Sequence, residues 1–476
     1  MKVFDKLYIG GHWVASTGGE WLDVINPATL ELAGKVPLAT IDDADAAVDA
    51  AAKAFPAWAA TPIAKRVDYV EKLAAAIAEN AENMAHIVTA ELGSPINLSR
   101  QVQLGLGVGV MSSYVDIGRE FASRPVETIG NSEIHHDPVG VCAFITPWNF
   151  PLHQIVAKLA PALVAGCTVV LKPSSETPLT AFAFAELVHK AGLPAGVFNI
   201  VPGPGRTVGE RLCSHPAVDM VSITGSTNAG IRVAQLAAPT IKRVTQELGG
   251  KSACILLDGA PLDQAVPAAV EGAGITLNSG QVCAALSRLI VPRARQEEVI
   301  ALACAAAERV VVGDPTAETT HMGPLVSQAQ QQSVLSFIHK GLEEGARIVA
   351  GGLEPPPGCE RGAYVQPTIF ADVTPDMTIA KEEIFGPVLA IMPVDSEEEA
   401  IAIANNSEFG LSGGVWAGDA ESAKRVALQL RTGQVSVNGG QFNALAPFGG
   451  YKQSGNGREL GPYGLHEYLE IKALQL

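Results

Sequence analysis

The sequence predicts an α/β protein of two lobes, each built on a parallel sheet, and three observations carry that prediction. Short β-rich runs alternate with helical stretches from 141 to 257, and a second alternating set runs from about 287 to 440. The chain, at 476 residues, is longer than one hydrophobic core usually serves. Before the first alternating set, residues 40 to 92 carry apolar positions at spacings of three and four, which predicts helices. In the first set the expected strands are VCAFITPW (141–148), CTVVLKP (167–173), VFNIVPG (197–203), MVSITG (220–225) and ACILL (253–257). In the second they are SRLIVP, ARIVAGG, VLAIMPV, GGVWAG and GQVSVN. The lobes are expected to meet near residue 250, which places any chemistry carried by the flanking motifs in a cleft between them.

Composition narrows the function classes. An apolar fraction of 47% with 17% charged residues fits a compact folded chain, and the formal charge of −16 without any Lys/Arg run argues against a nucleic-acid or anionic-membrane partner. The longest apolar region, 154 to 171, is interrupted by Lys158 and Pro161 and reads as a buried helix and strand, too short for a membrane span. The N-terminus lacks the apolar core of a signal peptide, so a cytoplasmic location is expected. Seven cysteines form no CxxC or Cys/His cluster, so neither a metal site nor a disulfide framework is expected.

Among those cysteines Cys283 stands apart. Its neighbours in NSGQVC (278–283) are turn formers, whereas several of the other cysteines lie in apolar runs. A thiol attacks as the thiolate, and a base or a positive field must favour that form. TQELGGKS (245–252) offers Glu247 next to two glycines, which permit close backbone approach. TPWNFP (146–151) ends a strand and turns into a helix at Asn149, KPSSETP (172–178) ends the next strand at Lys172, and ITGST (223–227) joins a strand to a helix whose N-terminus could face a phosphate. Neither GLGVG (105–109) nor GPGRTVG (203–209) follows the usual dinucleotide spacing in the right place. EEIFGPV (382–388) adds acids and an aromatic at a Gly-Pro turn, and APFGGYKQSGNGRELG (446–461) is a glycine-rich loop with charges read as structural.

These motifs together resemble the aldehyde dehydrogenase superfamily from about residue 20 to the C-terminus. The resemblance implies a variant Rossmann cofactor domain (1–117 and 139–250), a catalytic domain (251–462) and a small β oligomerisation element (118–138 and 463–476), with SRPVETI and NSEIHHD forming a hairpin at Gly130 and Asn131. The tail would pair with another subunit in a homodimer or homotetramer. Cys283 would be the nucleophile, Glu247 the base that activates water, and Asn149 a donor to the oxyanion. NAD or NADP would be held by Ile145, Thr146, Pro147, Trp148, Lys172, Ser174, Ser175, Gly205, Gly209, Thr224, Gly225, Ser226, Leu248, Gly249, Glu383 and Phe385. NAD-preferring members often carry Glu where this chain has Ser175, so tolerance of NADP is expected.

The implied substrate is a small-molecule aldehyde, its pocket lined by Phe150, His153, Gln154, Ala157, Val282, Gln441, Phe442 and Phe448. Ala157 stands where succinate semialdehyde relatives carry Arg and betaine aldehyde relatives often Trp, so neither a fixed cation nor an indole waits there. His153 reads either as a polar contact or as a satisfied buried histidine. Two alternatives remain open: a coenzyme A acylating relative, which generally lacks a glutamate at 247, and a catalytically silent binding module, which would lack one of the three chemical residues.

Overall fold

The computed structural model describes residues 1–271 and 274–476. Its first sheet has eight strands, in the order Gly455–Asn456, Arg243–Glu247, Met220–Thr224, Val141–Ile145, Thr168–Lys172, Phe198–Ile200, Leu7–Ile9 and His12–Val14. The five from Arg243–Glu247 to Phe198–Ile200 run parallel. Such strands are covered on both faces and read as unbroken apolar runs, as MVSIT and TVVLK do. Register brings Glu247 level with Thr224 and Ile145 level with Lys172, so the carboxyl edge presents these side by side. Ligands of open parallel sheets bind beyond that edge.

The second sheet has seven strands, in the order Arg347–Ala350, Thr368–Ala371, Val388–Val394, Arg288–Pro292, Ala253–Leu256, Gly413–Trp416 and Ser436–Val437, parallel except for the first. The expected strands do not include Arg243–Glu247, whose RVTQE is polar enough to pass for a loop or helix end, the short Thr368–Ala371, or the edge strands Leu7–Ile9, His12–Val14 and Gly455–Asn456. ACILL, expected with the first set, supplies Ala253–Leu256 of the second sheet. Gly455–Asn456, far along the chain, pairs back onto Gln246 and Glu247 and so brings the glycine-rich loop to the first sheet.

Helices fall where the spacing predicts, at Ile41–Ala59, Ile63–Glu79 and Ala81–Leu92. The first starts on a capping box: Thr40 Oγ1 accepts from Asp43 N at 3.2 Å and Asp43 Oδ2 accepts from Thr40 N at 2.9 Å. Helix Pro151–Ala165 enters with Pro at its first turn, ends at a left-handed Gly166, and is buried at every residue except His153. No helix among the described residues is long and apolar enough to cross a membrane.

A third sheet joins Glu127–Ile129, Ser132–Pro138 and Leu469–Gln475, all antiparallel, with the hairpin turning at Gly130 and Asn131 as the sequence predicts. The tail strand pairs along its full length with Ser132–Pro138 and forms one edge of this sheet. Ile471 in that strand is 72% exposed.

Candidate active site

Asn278, Ser279 and Gly280 follow one another in the left-handed region, with φ of 50°, 57° and 72°. This tight reversal lifts Cys283 to the cleft. Gly280 is obligatory: a Cβ there would lie 2.2 Å from the Gly386 carbonyl oxygen, so the cysteine loop sits directly on the turn that follows Phe385. Gly250 plays the matching part on the other side, since a Cβ would lie 2.5 Å from the Cys283 carbonyl oxygen. The loop is pinned further by Ser279 Oγ donating to Gly323 O at 2.9 Å and by Val326 N donating to Gln281 Oε1 at 2.9 Å.

Asn149 is buried at the start of the helix, and its Nδ2 donates to Gln281 O at 3.0 Å, which aims the carboxamide into the cysteine loop. Its own carbonyl accepts from Gln103 Nε2 and Asn278 Nδ2, both at 2.9 Å. Gln103 was missed by the sequence reading. It lies inside a helical segment among ordinary helix formers, and only the fold brings it to Asn149.

Glu247 ends its strand at the floor of the cleft. It is 3% exposed, and neither carboxyl oxygen has a hydrogen-bond partner of good geometry among the described residues. Burial pushes its pKa well above the usual carboxylate range, the charge of Glu459 adds to that, and Lys158 and the nearby Cys283 thiol oppose it. Cys283 is partly open to solvent yet enclosed by enough protein that burial raises its thiol well above 9, helped by the negative charges of Glu247 and Glu383 and opposed by the Ala284 amide. Burial and their mutual charge thus disfavour the ionised form of each group. Behind them Lys158, fully buried, donates to Thr224 Oγ1 at 2.6 Å and pairs with Glu459. Glu459 lies in the loop whose charges the sequence reading took as structural; it bears directly on Glu247.

The cofactor candidates line the carboxyl edge. Lys172 Nζ donates to Pro173 O at 2.8 Å and Gly203 O at 3.1 Å, which leaves one N–H uncommitted, and burial lowers its pKa to about 8. Ser174 and Ser175 are half-buried beside it, and the helical turn Gly205–Gly209 packs on its stem. Thr224, Gly225 and Ser226 lead into helix Thr227–Ala237, which Ser226 Oγ caps by accepting from Ala229 N. Ile145, Thr146 and Pro147 follow the central strand. Leu248 and Gly249 follow Glu247, and Glu383 reaches them from the second lobe, accepting from Gly250 N at 3.0 Å. Burial raises Glu383 to about 7. Phe385, at φ 55°, meets Trp148 edge-on with ring centroids 5.2 Å apart, which ties the two lobes across the groove. A groove with an uncommitted lysine N–H, two hydroxyls, a helix start and a carboxylate from the facing lobe fits a dinucleotide.

Of the residues expected to line a substrate pocket, Phe150, Gln154 and Ala157 are buried while His153 and Val282 are half-buried. Gln441 and Phe442 are exposed, and Phe442 meets Phe448 edge-on at 6.1 Å. Phe442 and Phe448 thus make a partly exposed aromatic pair.

This fold, with its cleft between two α/β lobes, is that of an oxidoreductase. The aldehyde dehydrogenase family model matches residues 13–474. The 3-succinoylsemialdehyde-pyridine dehydrogenase of a Pseudomonas species is 48% identical over 100% of this chain and 99% of its own length. A solved structure of an aldehyde dehydrogenase C mutant from Pseudomonas syringae, complexed with NAD+ and octanal, is 47% identical, covers 99% of this chain and 96% of its own, and superposes with a TM-score of 0.96. That of a Mycobacterium tuberculosis aldehyde dehydrogenase complexed with NAD+ is 42% identical, covers 100% and 98%, and gives 0.97. The chain belongs to the aldehyde dehydrogenase family.

Proposed function

We propose that this chain oxidises an aldehyde to a free carboxylic acid with NAD, and accepts NADP. The observation that carries the reading is the meeting of three groups: a partly open thiol at Cys283, an orphaned buried carboxyl at Glu247, and the Asn149 carboxamide fixed between their loops. The Cys283 thiol releases its proton to solvent water, and the thiolate adds to the aldehyde carbon. The resulting oxyanion is met by Asn149 Nδ2, which turns from Gln281 O, and by the Cys283 amide. Lys172, Glu383 and the start of helix Thr227–Ala237 would hold the dinucleotide, which would supply the hydride acceptor for oxidation of the thiohemiacetal to a thioester. Glu247 then takes a proton from the water that attacks the thioester, and the sulfur leaves as thiolate.

Glu247 favours water over coenzyme A as the acyl acceptor, and the uncharged Ser175 beside Lys172 leaves room for a 2′-phosphate. Two relatives frame the substrate. One is named for a pyridyl semialdehyde and one was solved with octanal, and the aromatic pair of Phe442 and Phe448 suits aldehydes of that length. The test is cofactor reduction with NAD and NADP in parallel across alkyl, aryl and oxo aldehydes, for wild type and Cys283→Ala. Loss of all turnover in the variant supports the reading; turnover that survives it, or acyl-coenzyme A formed when coenzyme A is added, overturns it.

A further inference from the structure

Helix Pro151–Ala165 is buried along its whole length except at one residue, His153, which stands one turn beyond Asn149 on the way into the helix. His153 makes no hydrogen bond or ion pair with any described residue, and its Nδ1 is enclosed without a partner. Gln154 beside it is 4% exposed, and its Oε1 is likewise enclosed without a partner. Buried polar atoms are nearly always satisfied, and those that are not call for an explanation. Glu247 has one in the chemistry. His153 and Gln154 do not.

We propose that His153, seconded by Gln154, determines substrate specificity by reading an uncharged oxygen or ring nitrogen carried by the aldehyde some distance from its reacting carbon. This rests on the aldehyde oxidation proposed above and names its substrate class. The site offers hydrogen-bond capacity without charge. Burial lowers the His153 imidazole to about 4, so at neutral pH it has one donor and one acceptor nitrogen. Among the described residues, the cation whose charge bears on His153, Lys158, is committed to Thr224 and Glu459. Glu459 would moreover repel a substrate carboxylate. A keto, hydroxyl or ring-nitrogen group is what such a surface accepts, and a plain alkyl chain would leave both residues unsatisfied.

The experiment compares kcat/KM for a 4-oxoalkanal and the alkanal of equal length in wild type, His153→Phe and His153→Asn, with thermal melting as a check on folding. The expected result is a wild-type preference of about tenfold or more for the oxo aldehyde, lost in His153→Phe mainly through KM and partly restored in His153→Asn. Equal rates in wild type, or a preference unchanged in His153→Phe, overturn the proposal. Binding of the corresponding diketone and monoketone to the Cys283→Ala protein, followed by fluorescence quenching, separates this proposal from the parent reading. Preferential diketone binding that depends on His153 sustains the inference even where turnover fails, and equal binding rejects it even where aldehydes are oxidised.

Discussion

Glu91 and Glu247 are both buried carboxyl groups, and they are treated in opposite ways. Glu91, at 0% exposure, sits at the start of helix Pro178–Ala191 and accepts from Leu179 N at 2.7 Å, Thr180 N at 3.0 Å and the Thr180 hydroxyl. Glu247 accepts nothing. Burial raises both pKa values, but around Glu91 every acceptor is used, and it ties two helices together. Around Glu247 the acceptors are left without a donor of good geometry, and the Cys283 thiol lies beside them. A satisfied buried acid holds structure, whereas an orphaned one carries a cost in stability that only function explains.

The largest expected effect is at the thiol: Cys283→Ala removes the nucleophile, and steady-state cofactor reduction should disappear while the melting temperature hardly changes. Glu247→Gln should slow steady turnover by about 10²- to 10⁴-fold. Rapid-mixing experiments should still find a burst of one reduced cofactor per active site, because the base acts after hydride transfer. A burst that vanishes would move Glu247 to the earlier step. The same variant should be no less stable than wild type, since it removes a buried acid without a partner. Asn149→Ala should lower kcat by about 10²- to 10³-fold, the usual loss for one oxyanion donor.

Glu91 should behave in reverse. Glu91→Ala leaves buried donors without an acceptor and should cost about 2 to 3 kcal/mol of stability by denaturant unfolding, with kcat per folded molecule unchanged. The pH dependence has a definite sign. Native Glu91 keeps its proton up to about 8, whereas the unfolded chain releases it near the ordinary value of about 4.3. Between those values the unfolded state binds fewer protons, so wild type loses stability relative to Glu91→Gln as pH rises, and the difference levels off above 8. A difference that stays flat from pH 5 to 8 would show that Glu91 is ionised in the native state.

Much of this was legible in the chain, for identifiable reasons. Cys283 and Asn149 lie among turn residues where a core residue has no place, and the alternation of β-rich and helical runs is local in sequence. The strand that ends in Glu247 was not legible, because RVTQE lacks an apolar run and owes its place to pairing with Met220–Thr224 on one side and Gly455–Asn456 on the other. Lys158 and Glu459 are 301 positions apart, and no local pattern joins them. Gln103 likewise serves Asn149 only through the fold.

The smallest expected effect tests whether the orphaned acid is tuned from behind. Glu459 raises the Glu247 pKa and Lys158 lowers it, so the pair sets the pH at which the base becomes available. Glu459→Gln removes the repelling charge and leaves Lys158 unopposed. The rising limb of kcat against pH should therefore move to lower pH, with a small change in the plateau. Lys158→Met should move it the other way and also cost stability, because Glu459 then loses its buried partner. Equal pH profiles in wild type and Glu459→Gln would mean that Glu459 serves only to hold the glycine-rich loop against the first sheet, and that Glu247 owes its raised pKa to burial alone.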